Sequence, residues 1–215
     1  MNLFEVVSLI VKRNGYYDVG FRDESGVMYE LAVHEELVLE QRLIVGKILS
    51  EAAFLELKES LDYGKSYGYA VGILARRMYT EREIRDKLAM REVQSEIIDD
   101  VIEKLLEVEL LDDEKYTHHF IESQIDAGKK GVRRIRMDLV NKGVSKNIID
   151  DCLAEVGTDF EGDVIMNEIG KCWMKHANRT DFERKGKIVQ TLMRKGFGYD
   201  DIVGAYSIYR DEVEN

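Results

Sequence analysis

Residues 135–149 read IRMDLVNKGVSKNII, and two further stretches superpose on them without a gap: IRDKLAMREVQSEII at 84–98 and IVQTLMRKGFGYDDI at 188–202. The offsets are 51 (135 − 84) and 53 (188 − 135). In each stretch an Ile and a Leu four residues apart (Ile84 and Leu88, Ile135 and Leu139, Ile188 and Leu192) mark one buried helix face. Four residues after the Leu stands Gly143 or Gly196, where a helix C-terminus calls for a left-handed residue. An apolar residue, Val144 or Phe197, follows to close the cap, and after a short polar step another helix begins. Thr80-x-x-Glu83 and Thr180-x-x-Glu183 read as capping boxes that open the middle helix. The unit is therefore three helices, about 45 residues long, too small to bury its apolar faces without neighbours. In the first copy Glu92 replaces the glycine, so that helix is expected to need a different cap.

Upstream of the repeats the period changes from helical to two. Val7, Leu9 and Val11 alternate, as do Tyr17, Val19 and Phe21, and then Tyr29, Leu31 and Val33; Asn14-Gly15 and Asp23–Gly26 supply the turns. This predicts a three-stranded meander that needs helices against one face. Ser50 reads as the N-cap of a helix carrying Phe54, Leu55, Leu57 and Leu61. From there the pattern is helical to the end, with breaks near residues 64, 79, 93, 112, 129, 144, 158, 178 and 197. Gly64, Gly68 and Gly72 suggest close helix packing. The predicted fold is mainly α: three tandem three-helix repeats in an elongated, curved stack, preceded by a small N-terminal β-meander. The predicted divisions are 1–62, 63–111, 112–157 and 158–215.

The chain contains no proline, so glycine supplies most of the punctuation. Two cysteines without CxxC spacing, Cys152 and Cys172, and no basic-then-apolar leader point to a reducing cytoplasm. No apolar run approaches the roughly 18–20 residues that span a bilayer. No Ser-His-Asp set, P-loop or dinucleotide fingerprint is present, and the pair Cys172 and His176 does not make a metal site. No catalytic residue, cofactor or metal is expected.

A formal net charge of −11 excludes nucleic-acid binding through the overall field. The charge is segregated, however. Between residues 129 and 146, Lys129, Lys130, Arg133, Arg134, Arg136, Lys142 and Lys146 face one acid, Asp138, giving a strip of +6 against −17 for the remainder. Lys129 and Lys130 precede the helix start at Gly131, whose free N–H groups favour an anion. Arg76, Arg77, Arg82 and Arg85 form a weaker analogue in the first repeat, and Arg184, Lys185, Lys187, Arg194 and Lys195 one in the third. The acidic run from Glu96 to Glu114 reads as a solvated helix face with cap residues.

Three stretches carry a resemblance to a known family: AVGILARRMYTEREIRDKL at 70–88, LDDEKYTHHFIES at 111–123 and GVRRIRMDLVNKG at 131–143. With Lys195-Gly196-Phe197 closing the third repeat, the chain resembles the RecX family, bacterial modulators of the RecA recombinase, over roughly residues 66–210. The resemblance implies a non-enzymatic regulator that binds the RecA filament on DNA. It would restrain ATP turnover, filament extension and strand exchange by lying along the filament groove. The basic edges of the middle helices would face phosphate or an acidic protein surface, and the protein would act as a monomer. The alternative reading is a sequence-tolerant DNA-binding module that uses those helices directly.

Overall fold

The computed structural model describes residues 2–157 and 160–214, and the break expected near residue 158 lies outside them. The described chain divides into two compact units.

The first unit holds residues up to 73 together with 88–104. Strands β1 (Leu3–Val11), β2 (Tyr16–Asp23) and β3 (Met28–His34) form the expected meander, and Asn14 and Gly15 both take positive φ at its first turn. At the second turn the Asp23 carboxylate accepts from the Ser25 hydroxyl, the Val27 amide and the Tyr29 hydroxyl. A short helix α1 (Glu35–Glu40) follows. A fourth strand that alternation did not reveal, β4 (Ile48–Ser50), pairs with β1 and gives the order β3-β2-β1-β4. Three residues are too few to show a period of two. The inner face, with Phe4, Val6, Val19, Phe21, Val33 and Leu49, packs on Phe54, Leu57 and Leu61 of helix α2 (Glu51–Leu74). Phe54 is the centre of that core, stacked on Phe4 at 3.9 Å between centroids and edge-on to Phe21 and Tyr29.

Ser50 accepts from the Ala53 amide, as an N-cap should. Helix α2 then runs unbroken through residue 64, so the expected break is absent and the boundary expected at 62/63 falls inside a helix. A Cβ placed on Gly64, Gly68 or Gly72 would meet nothing within 4 Å. These glycines therefore mark no close helix packing. The buried face of α2, formed by Phe54, Leu57, Leu61, Ser66 and Ala70, carries the helix past them.

Helices α3 (Glu81–Ala89) and α4 (Ser95–Glu107) complete the first triple, and the division into units passes through it. The second unit holds residues 74–87 and those from 105 onward. Helices α5 (Asp113–Ala127), α6 (Val132–Asn141) and α7 (Lys146–Val156) enclose Ile121, Ile135, Leu139, Ile149 and Cys152. Helices α8 (Glu161–Lys175), α9 (Asp181–Arg194) and α10 (Tyr199–Glu214) enclose Ile169, Trp173, Ile188, Leu192, Phe197 and Tyr206.

The middle helix ends the same way in all three copies. Val144 N donates to Leu139 O at 3.2 Å and Gly143 N to Val140 O at 3.0 Å; Phe197 N donates to Leu192 O at 3.3 Å and Gly196 N to Met193 O at 3.0 Å. In the first copy Val93 N donates to Leu88 O at 3.3 Å and Glu92 N to Ala89 O at 2.9 Å. Glu92 sits at φ +61°, so the first copy keeps the Schellman cap and no different cap is needed. A left-handed non-glycine residue costs about 1–2 kcal/mol, which the cap bonds offset. Both capping boxes form, at Thr80/Glu83 and Thr180/Glu183.

Candidate partner-binding surface

The middle helices owe their positions to the junctions between repeats. At the start of α3, Thr80 Oγ1 donates to Lys142 O at 2.7 Å, and Glu81 N donates to Asp113 Oδ1 at 2.8 Å. At the start of α6, Gly131 N donates to Lys195 O at 2.9 Å, and Val132 N donates to Glu161 Oε1 at 2.7 Å. The two junctions match position for position. The carbonyl before a cap glycine accepts from the preceding repeat's N-cap residue, and an acid in the next repeat's first helix accepts the first helical amide. Glycine is required for approach at Gly131, and for approach as well as φ at Gly196. A Cβ on Gly131 would lie 2.7 Å from Gly196 O, and one on Gly196 would lie 2.5 Å from Arg134 Cβ.

The anion site expected before α6 is therefore filled by the chain's own Glu161, just as Asp113 fills the one before α3. Burial pushes both carboxyls above the usual carboxylate range. For Asp113 the amide bond from Glu81 opposes the rise, while Glu81, Asp112 and Glu83 add to it. For Glu161 the Val132 amide and Arg133 oppose it, and Asp201 adds to it. Each acid lines an open cleft at its junction: about 550 Å³ beside Arg82, Arg85 and Gly143 in one case, and about 490 Å³ beside Arg133, Gly196 and Asp201 in the other.

The basic strip is largely paired within the chain. Lys130 Nζ lies 2.7 Å from Asp138 Oδ2, and Arg134 Nε lies 3.0 Å from Asp138 Oδ1. Arg136 pairs with Asp150 of α7, and Lys142 Nζ lies 3.0 Å from Glu83 Oε1. Burial works against the Lys142 ammonium, but Tyr116 and Glu83 outweigh it and hold its pKa above the usual lysine value. Lys129, Arg133 and Lys146 are exposed, with no carboxylate in ion-pair contact among the described residues.

The first-repeat cations are also engaged. Arg77 covers the Tyr79 ring at 3.6 Å and approaches Glu83 at 3.9 Å. Arg82 approaches Asp86, and Arg85 Nε lies 2.7 Å from Glu81 Oε1; Arg76 is exposed. In the third repeat Lys195 pairs with the buried Glu168, whose carboxyl also holds Lys171. Burial opposes the Glu168 charge, and these two lysines outweigh it and keep its pKa below normal. Arg184 donates to the carbonyls of His176, Ala177 and Arg179 and lies over Trp173, so it closes the end of α8. Lys187 is exposed, and Arg194 donates to Gln190 O.

What the sequence did not disclose is the role of Asp113, Glu161 and Glu168. The only sign was the doubled acid at 112–113. Asp112 caps its own helix by accepting from Lys115 N, which leaves Asp113 for the junction.

Among the described residues, no helix is long and apolar enough to cross a membrane, and no cluster of His, Cys, Asp and Glu has metal-site geometry. The first, second and third three-helix domains of RecX match residues 67–105, 112–153 and 160–205. A regulatory protein RecX of Listeria innocua is 28% identical over 191 residues, 89% of this chain and 70% of its own length. A regulatory protein RecX of Limosilactobacillus reuteri is 27% identical over 202 residues, 94% of this chain and 74% of its own length. A crystal structure of a regulatory protein RecX shares the fold, with a TM-score of 0.74 and 24% identity over 97% of this chain and 99% of that one. The structure of RecX from Lactobacillus salivarius superposes with a TM-score of 0.64 and 26% identity over 69% of this chain and 97% of that one. Three matched domains in order, on a body whose junctions repeat, establish that the chain belongs to the RecX family of regulatory proteins.

Proposed function

We propose that this protein is a cytoplasmic regulator that binds the RecA filament on DNA and restrains its ATP turnover, extension and strand exchange by occupying its surface. The observation that carries the reading is the order of three RecX domains on interlocked repeats. The clefts of the second unit support binding rather than catalysis. In each cleft the acid at the junction, Asp113 or Glu161, is committed to a backbone amide and holds the repeats together. The residues offered to the partner are those on the outward sides of the middle helices and at their ends: Lys129, Lys146 and Lys187 are exposed with no carboxylate in ion-pair contact among the described residues, Arg133 is exposed beside Glu161, and Lys130, Arg134, Arg136 and Lys142 are held in place by internal pairs. Direct DNA binding is the competing reading. The test is RecA-catalysed ATP turnover on single-stranded DNA titrated with the full chain. Turnover should fall with saturation as the chain is added, and unchanged turnover at saturating concentrations would contradict the proposal.

A further inference from the structure

The outward side of α6 is not only basic. Met137 is 57% exposed and Val140 40%, one helical turn apart, with Arg133 and Arg134 exposed beside them and Arg136 on the inward edge. On α9 the residue that corresponds to Val140 in the repeat is Met193, 49% exposed. Met137 corresponds to Gln190, so the apolar pair is complete only on α6, where the cations surround it.

A phosphodiester backbone is held by cations that are free to exchange their counterions for phosphates. Here Lys130 and Arg134 share Asp138, Arg136 is held by Asp150, and Lys142 is held by Glu83. Asp150 and Glu83 reduce the nominal +6 of the strip to +4, and four of its seven cations are committed to carboxylates of the chain. A phosphate chain would also leave Met137 and Val140 against water or anionic oxygens. A thioether beside a branched aliphatic side chain, ringed by oriented guanidinium groups, has the composition of a protein-interface centre, since flexible methionine adapts to a pocket and arginine tolerates desolvation.

We infer that the α6 face centred on Met137 and Val140 seats against an acidic protein surface with an apolar pocket, and not against nucleic-acid phosphates. This rests on the reading of the chain as a filament-binding regulator, and it assigns the α6 contact to the filament's protein component.

The test measures the affinity of the dye-labelled full chain for RecA filaments on single-stranded DNA by fluorescence anisotropy at two salt concentrations. Thermal melts confirm that each variant is folded. Met137→Gln combined with Val140→Gln should raise Kd at least about tenfold with little change in salt dependence, because the apolar seat is lost while the charges remain. Lys129→Gln with Lys146→Gln, which removes two cations that have no ion-pair partner, should lower affinity less than the apolar double variant does and should flatten the salt dependence. Met137→Arg separates the two chemistries directly: it weakens binding to an apolar pocket and tightens binding to phosphates. Tighter binding by Met137→Arg, or a Met137→Gln/Val140→Gln affinity within twofold of the parent, would overturn the inference while leaving the filament-binding reading intact. A parent chain that does not bind the filament at all would overturn both.

Discussion

Gly196 and Gly46 both sit near φ +90°, yet they are held there for different reasons. A Cβ at Gly46 would meet nothing within 4 Å, whereas one at Gly196 would collide with the first turn of α6 at Arg134. Gly46→Ala should therefore cost only the left-handed penalty, about 1–2 kcal/mol. Gly196→Ala should cost about 2–4 kcal/mol, because crowding at the junction is added. Chemical denaturation of the two variants measures the difference, and equal losses would show that the junction is not tight. Glu92 is the converse case, with left-handed φ but no glycine. Glu92→Gly should stabilise the chain by about 1 kcal/mol, read from the denaturation midpoint. The repeat made that position legible in the sequence. That a glutamate would adopt the same φ was not legible, because a strained residue held by cap bonds leaves no sign in its own identity. Lys195 was misleading for a related reason. It stands in a basic cluster, but it neutralises the buried Glu168, a partner 27 residues away. Lys195→Met should destabilise the fold by about 1–3 kcal/mol, since Lys171 alone remains on that carboxylate.

Among the elements, α2 shows what propensity alone would have missed. Three glycines within it suggested a break or a tight contact, and the helix has neither. Its buried face against the sheet outweighs a propensity deficit of about 1 kcal/mol per glycine. Replacing Gly64, Gly68 and Gly72 by Ala should raise stability by about 0.5–1 kcal/mol each, visible as a stepwise rise in Tm; a loss would mean that the open face has a neighbour. The starts of α3 and α6 were only half legible. The Thr80 box could be read locally, but the acceptors Asp113 and Glu161 lie in the following repeat. Both carboxyls are raised by burial, so folding takes up protons at these sites. Their contribution to stability is present below the unfolded pKa of about 4 and is lost as pH rises through the elevated native values. Asp113→Asn with Glu161→Gln keeps an oxygen acceptor at each junction and removes the titration. The slope of stability against pH just above the ordinary carboxylate range should become flatter in that variant, and an unchanged slope would show that these acids are not its source.

For the molecule as a whole, the repeat series is closed at both ends by different means. Glu92 carries a Cβ at the position that is bare in Gly143 and Gly196, so it cannot accept the close approach those glycines allow. Helix α9 begins one turn earlier, with Ile188 eight residues after Thr180 where Ile84 follows Thr80 by four. That extra turn is tied to α10 by the Tyr206 hydroxyl, which donates to Asp181 Oδ1 at 2.6 Å and whose pKa is pushed up to about 12 by burial and this bond. The junction geometry therefore has no open copy, and the full chain should sediment as a monomer across a hundredfold range of concentration. A concentration-dependent ladder of assemblies would contradict this closure. The repeat order and the β element were legible because they are written in local periodicity. The strip's partial neutralisation was only half legible: Asp138 stands within the strip, but Glu83 and Asp150 are brought from α3 and α7. Filament binding is tested by co-sedimentation of the full chain with RecA filaments on single-stranded DNA, beside RecA alone and DNA alone, at two salt concentrations. The chain should pellet with the filament and stay in the supernatant with bare DNA; equal pelleting with bare DNA, or none with the filament, would show that it is not a filament-binding regulator.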